Sequence, residues 1–315
     1  NLAVDIISED NDVPVINTVG GSSAVIVPKE EGDDTIPLLI PKLDAKDNAP
    51  LTDRSSEFQV KGTGEQEAFT ATAFAEKGYL MVENPKDPTG PGKVLRVPAA
   101  GSYEITEVKA PYGYTAKNAE PIKFTINAEG KITSPFKAIY NEPNAYALGD
   151  FVWIDSNGNG LQDADEKPLE GVKVSLLDSA GNLALDLNGK EVQPVATDAN
   201  GRYVFDNLRV GDYRVEFELT DAQKKKYNFT KVGTDDAAAE KKDFNDSDAA
   251  PVTDRQDVAQ TELFTLGKFG ESNDGRFTNV ADYATELGLP EGSTPFKAAN
   301  GIDQTRDAGV TEIPT

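Results

Sequence analysis

The chain has 315 residues, a formal net charge of −23, and neither histidine nor cysteine. That balance argues against nucleic acid and anionic membrane surfaces as partners and favours bound cations, which relieve self-repulsion. The missing histidine and cysteine exclude the usual catalytic triads and thiolate chemistry, and no apolar run is long enough to span a bilayer.

The length suits two ordinary domains. Regular turn signals, many short alternating runs and only one or two plausible helices predict an all-β protein of tandem β-sandwich domains. The chain opens on Asn1 instead of Met, as a mature fragment would. Residues 1–35 hold three strand-like runs, Leu2–Ile7, Val13–Ile16 and Ala24–Val27, too few for an independent core. They read as the end of a preceding domain or as extra strands on the next one. The run Val25-Ile-Val-Pro28-Lys29 resembles the lysine motif that sortases use to polymerise pilins. Val27 stands where that motif has Tyr, so an ordinary strand end is the simpler reading and Lys29 the candidate sortase lysine.

From Ile36 the pattern sharpens. Leu38, Ile40 and Lys42 fall on one face of an extended run. Tyr103, Ile105 and Glu107 do so in Gly101–Lys109, and Ile139 and Asn141 near the end of the region. Each set places one polar group behind apolar neighbours. Burial would push such a lysine towards the neutral amine and such a glutamate towards the neutral acid. Taken alone, the residues fit equally a surface lysine, a rim carboxylate and a turn asparagine. The stretches Ile36–Leu51, Gly101-Ser-Tyr103-Glu-Ile105-Thr-Glu107-Val-Lys109-Ala-Pro111-Tyr-Gly113-Tyr114 and Phe136–Pro143 resemble the prealbumin-like B-type domains of Gram-positive collagen-binding adhesins and pilins. The resemblance covers residues 36–145. It implies an intramolecular isopeptide bond between Lys42 and Asn141, with Glu107 as proton shuttle, forming a covalent tie across the sandwich.

The boundary to the next domain falls at Asn141–Ala145, and residues 146–315 form the second domain. Tyr146–Ile154 and Pro168–Leu176 both read as strands. Between them runs Asp155-Ser-Asn157-Gly-Asn159-Gly160-Leu161-Gln-Asp163-Ala-Asp165-Glu166. Asp155, Asn157, Asn159 and Asp163 stand at the first, third, fifth and ninth positions. Gly160 is sixth, Leu161 offers its carbonyl from the seventh, and Glu166 closes the loop. That is the spacing of a calcium loop, in which glycine permits the sharp turn. A polar turn rich in Asn, Asp and Gly is the other reading. Strands instead of helices on both sides point to structural calcium, not a helix-opening switch.

The second domain echoes the first. Pro168-Leu169 parallels Pro50-Leu51, and Gly211-Asp-Tyr213 parallels Gly101-Ser-Tyr103. With Gly149–Trp153, the calcium loop, Thr197–Phe205, Asn245-Asp246-Ser-Asp248 and Asp307–Val310, it resembles the calcium-binding B repeats of the serine–aspartate repeat adhesins. Asp246 and Asp248 are candidates for a further cation, or equally a solvated acidic loop. No Lys/Glu/Asn set is visible here, so calcium would replace the covalent tie. Asp221–Lys226 suits a short helix. Residues 267–302 look like an insertion, helix-like over Thr278–Leu287 with Thr278 as N-cap.

Together these features predict no enzyme beyond a single-turnover autocatalytic cross-link. The resemblance implies an extracellular, wall-associated structural protein, a pilin subunit or an adhesin stalk. Sortase, cell wall, other pilin subunits and a host surface or matrix ligand would be its partners. The alternative is an accessory β-module of an extracellular wall-associated enzyme.

Overall fold

Alternation between buried and exposed side chains governs the longest strands. In Gly101–Lys109, Tyr103 and Ile105 are buried while Ser102 is exposed. In Gly211–Glu218, Tyr213, Val215 and Phe217 are buried. That is the period of two of a strand with one face on a core. The computed structural model describes residues 15–19, 22–26, 34–115, 120–133, 138–233, 245–267, 277–278 and 300–314. The chain divides into two compact units, Asn1–Pro143 and Asn144–Thr315.

In the first unit a six-stranded sheet runs in the order Ile122–Ile126, Gly101–Lys109, Glu57–Gly62, Thr70–Glu76, Tyr79–Val82, Lys93–Val94. A three-stranded sheet has Ile139–Pro143 between Tyr114–Thr115 and Lys42–Asp44. The core gathers Leu38, Ile40, Phe58, Val60, Tyr103, Ile105, Phe124 and Ile139. Ahead of this sandwich, Val15–Val19 and Ser22–Ile26 form an antiparallel hairpin of their own.

The second unit has a sheet in the order Val195–Ala196, Lys173–Asp178, Gly211–Glu218, Arg255–Gln260, Ala250–Val252, with Phe264–Leu266 also paired to Gly211–Glu218. Two four-stranded sheets complete it. One is built on Tyr146–Leu148 and the other on Val152–Ile154. Leu148, Val152, Val174, Val215, Phe217 and Val310 meet in one core. The protein is thus mostly β-sheet, in small sheets that suit tandem sandwiches.

Three sequence expectations need correcting. Tyr146–Ile154 is not one strand, because it breaks between Leu148 and Val152 and its halves enter different sheets. Pro168–Leu176 breaks likewise, at a turn where Gly171 takes φ of 82°. The helix expected over Asp221–Lys226 is only a 3-10 turn at Gln223–Lys225. Thr220 and Gln223 exchange reciprocal hydrogen bonds that open it. Tyr227 then enters a strand and ends it. Thr278 lies at the end of the strand Phe277–Thr278, paired to Ile302–Asp303. Residues 279–287 lie outside the described residues, as do Lys29 and the run Leu2–Ile7.

Candidate cross-link and cation sites

Lys42, Glu107 and Asn141 come together in the first unit. Lys42–Asp44 pairs in parallel with Ile139–Pro143, in the register Ile139 to Lys42 and Asn141 to Asp44. All four of these side chains are buried. Asn141 donates through Nδ2 to Glu107 Oε2 at 3.1 Å and to the Thr115 carbonyl at 2.9 Å. Lys42 Nζ makes a long 3.5 Å contact to the Ile139 carbonyl, on the strand that carries Asn141. Its ammonium faces the Phe58 ring, 5.8 Å from the centroid. Asn141 Oδ1 and Glu107 Oε1 are buried without a hydrogen-bond partner.

Burial dominates the electrostatics. It pushes the Lys42 ammonium down to about 8, although the charges of Glu107 and Asp44 pull the other way. It pushes the Glu107 carboxyl up, opposed by the Asn141 hydrogen bond and the Lys42 charge. Both shifts favour a neutral amine beside a neutral acid. One expected detail differs. Lys42 and Asn141 sit on adjacent strands of one sheet, and Glu107 comes from the other sheet. A bond between them would join two neighbouring strands of one sheet side by side, not across the sandwich. Parallel pairing of these two strands, with Ile139 opposite Lys42 and Asn141 opposite Asp44, brings the two side chains to the same face.

In the second unit, the twelve-residue run is a hairpin connection. Ile154 pairs with Lys167 and Trp153 with Pro168. Asp155 accepts from the amides of Asn159 at 3.1 Å and Gly160 at 2.9 Å, and from the Thr230 hydroxyl at 2.6 Å. The side-chain amides of Asn157 and Asn159 converge on Asp163 Oδ2 at 2.7 and 3.0 Å. Glu166 accepts the amides of Ser156 and Asp163. Gly160 takes φ of 83°, and a Cβ there would come within 3.0 Å of Gly233 and the Lys231 carbonyl. Only glycine fits that approach without strain.

The loop's oxygen-only donor set suits a hard cation such as calcium. Asp155, Asn157, Asn159, Asp163 and Glu166 already form one hydrogen-bonded ring of chain, with Leu161 beside them. Among the described residues, no group of three or more acidic side chains is gathered closely enough to hold a metal by itself. A cation here would therefore draw on the asparagine and carbonyl oxygens as well.

Asp246 and Asp248 occupy two different places. Asp246 is buried and bridges to Leu161, and flanking bonds from Gln162 N to Asn245 O and from Ser247 N to Gly160 O seat its segment against the loop. Asp248 instead accepts the Asp307 amide at 2.9 Å. Asp307 is fully buried, accepts the Phe151 amide through Oδ1 at 2.8 Å, and has Oδ2 buried without a partner. Burial and the charges of Asp150 and Asp248 push its carboxyl well up. Sequence reading missed Asp150 and Asp307 as neighbours of Asp248, and Thr230 as a partner of Asp155. These residues are far apart in the chain, and no local spacing announces them.

Comparison with known proteins follows the same division. Residues 37–138 match the prealbumin-like fold domain family, and residues 146–274 match the SdrD B-like domain family. Serine-aspartate repeat-containing protein F of Staphylococcus epidermidis is 32% identical over 222 residues, covering 53% of this chain and 13% of that protein. Bone sialoprotein-binding protein of Staphylococcus aureus is 33% identical over 180 residues, covering 50% of this chain and 14% of that protein. The chain thus spans only a small part of the curated relatives it matches. Among solved structures, the Bacillus anthracis TIE protein aligns at 14% identity and a TM-score of 0.35, covering 96% of this chain and 58% of the other. Each unit thus carries its own family match, a prealbumin-like domain followed by an SdrD B-like domain, as is found at the surface of Gram-positive bacteria.

Proposed function

We propose that this chain is a structural segment of a surface adhesin or pilin that mediates attachment, with a Lys42–Asn141 isopeptide bond in its first unit and calcium in its second. The observation that carries the reading is the meeting of buried Lys42 and Asn141 with half-buried Glu107. Unpartnered Asn141 Oδ1 and Glu107 Oε1 are costly where they are, at about 1–3 kcal/mol each. A proton on Glu107 donated to Asn141 Oδ1 would satisfy both and polarise the amide carbon.

The reaction needs no cofactor. Lys42 Nζ, neutral, attacks Asn141 Cγ and forms the new C–N bond. The Cγ–Nδ2 bond breaks, and Nδ2 leaves as ammonia with one proton taken from the amine and relayed by Glu107. The Thr115 carbonyl and Glu107 Oε2 hold Nδ2, the leaving nitrogen, before it departs. This happens once per molecule and is not turnover.

In the second unit, Asp155, Asn157, Asn159, Leu161, Asp163 and Glu166 would hold calcium, which supplies charge neutralisation and closes the hairpin. Asp246 and Asp248 are candidates for a further cation. Sortase, the wall or neighbouring pilin subunits, and a host surface or matrix ligand are the partners this reading implies.

Intact mass tests the central claim. The protein should be lighter than its sequence by one ammonia, and proteolysis should release a branched peptide joining the Lys42 and Asn141 segments. Glu107→Ala should fold yet keep its full mass. A full mass for the unaltered chain would remove the isopeptide bond from the proposal and leave the cation loop untouched.

A further inference from the structure

The environment of Lys42 contains, besides half-buried Glu107, a buried acid that the proposed chemistry does not use. Asp44 lies two residues along the same strand, with its side chain fully buried. Its Oδ1 accepts the Lys46 amide at 2.7 Å, which holds the turn after the strand. Its Oδ2 accepts the Tyr114 hydroxyl at 2.9 Å, between residues 70 positions apart.

The strand order gives that bond its meaning. Tyr114–Thr115 and Lys42–Asp44 lie on opposite sides of Ile139–Pro143. The Tyr114–Asp44 bond therefore spans the strand that carries Asn141. The residue after Tyr114 is Thr115, whose carbonyl holds Asn141 Nδ2. The residue two before Asp44 is Lys42. One side chain–side chain bond thus ties the backbone that orients the amide to the backbone that carries the amine.

We propose that Tyr114 and Asp44 are positioning residues for the Lys42–Asn141 condensation, a clamp that sets the approach of the amine to the amide carbon. The inference rests on the isopeptide reading above. Tyr114 acts by geometry alone. Asp44 acts by geometry and by charge, because it is one of two carboxylates facing Lys42. Glu107, from the facing sheet, is the other, and the Phe58 ring presents no titratable group. Both carboxylates favour the protonated amine, so Asp44 restrains the nucleophile that it helps to place.

The test follows condensation in the full chain, made in a short cell-free pulse, transferred to buffers of different pH, and sampled by intact mass. Tyr114→Phe removes one oxygen and keeps the ring. It should slow ammonia loss on the order of tenfold or more, as a misplaced reacting pair does, with the pH midpoint unmoved. Asp44→Asn keeps an oxygen for the Lys46 amide and removes the charge. It should move the pH midpoint of the rate downwards. Tyr103→Phe is the control, since it deletes another tyrosine hydroxyl bond in the same core, to the Ala99 carbonyl, away from Lys42. It should condense at the parental rate. Far-ultraviolet circular dichroism of each variant checks that it has folded. If Tyr114→Phe condenses as fast as the parent, or no faster than Tyr103→Phe because both are slowed, the clamp is wrong. An unshifted midpoint in Asp44→Asn overturns the charge role. If the parent itself never loses ammonia, the isopeptide reading fails instead, and the two failures are told apart.

Discussion

The two units solve one architectural problem with different residues at matching positions. In each, the carbonyl of a residue on the first strand of a parallel pair accepts the amide of the leucine in a Pro-Leu step. Leu51 donates to Lys42 and Leu169 to Val152, both at 2.9 Å. In each, the central strand carries a tyrosine whose hydroxyl donates to the carbonyl four residues earlier, Tyr103 to Ala99 and Tyr213 to Arg209. Counting along the paired strands sets Lys42 against Val152, Glu107 against Phe217 and Asn141 against Val310. The three second-unit residues are apolar and fully buried. Where one core carries a polar, reactive trio, the other is simply filled.

The loops differ in the opposite sense. After Asp44 the first unit makes a tight turn to Pro50 and Leu51, with the Asp44 amide bonded to the Ala49 carbonyl. At the same place, after Ile154, the second unit inserts the acidic loop. The lesson is that the proposed tie has moved from the sandwich interior to its rim. A covalent bond needs no ligand, whereas a cation loop makes stability depend on the medium.

The largest effect that would break this comparison is loss of the covalent tie. Lys42→Met, which fills the core without an amine, should keep full mass and lower the unfolding transition of the first unit only. By analogy with a cross-link closing a ~100-residue loop, the loss should be at most about 4–5 kcal/mol. Calorimetry resolving two transitions, with the wrong one moved, would contradict the assignment.

A second test sharpens the electrostatics. In Asn141→Ala the amine stays free and buried, with its folded pKa at about 8 against 10.5 unfolded. The unfolded chain then binds the extra proton between those values, so stability should rise with pH through that window. The penalty is fully present below about pH 8, and its relief is at most about 3 kcal/mol. The cross-linked parent has no amine to titrate at this site and should lack the rise, as urea titrations from pH 7 to 10.5 would show.

Calcium should act on the other unit. At a hundredfold excess over its dissociation constant it should add about 2.7 kcal/mol to the second unit and nothing to the first. Asp155→Ala should abolish most of that gain. Identical melting curves with calcium and with chelator would remove calcium from the reading.

The smallest effect concerns Asp307, buried against Asp150 and Asp248. Asp307→Asn keeps an oxygen for the Phe151 amide and replaces a carboxyl whose charged form burial, Asp150 and Asp248 all disfavour. In chelator it should raise the second transition, by about 1 kcal/mol, a size typical of relieving one unfavourable buried interaction. If it lowers that transition in calcium instead, Asp307 is a cation ligand.

By itself the sequence determined a good deal. Period-two alternation placed Tyr103 and Ile105 on a core face, because the pleat of a strand is a local property. The spacing from Asp155 to Glu166 and the need for glycine at Gly160 were legible for the same reason, since a loop's ligands lie within one short stretch. The 3-10 turn at Gln223 and the breaks at Leu148 and Gly171 were not, because tertiary pairing overrides local propensity at element ends. Tertiary structure alone decided that Lys42 and Asn141 lie side by side in one sheet, that Tyr114 reaches Asp44 over the intervening strand, and that Asp248 accepts the Asp307 amide. Each of these joins residues brought together by strand order, and strand order is set by the burial of whole faces, which no window of sequence contains.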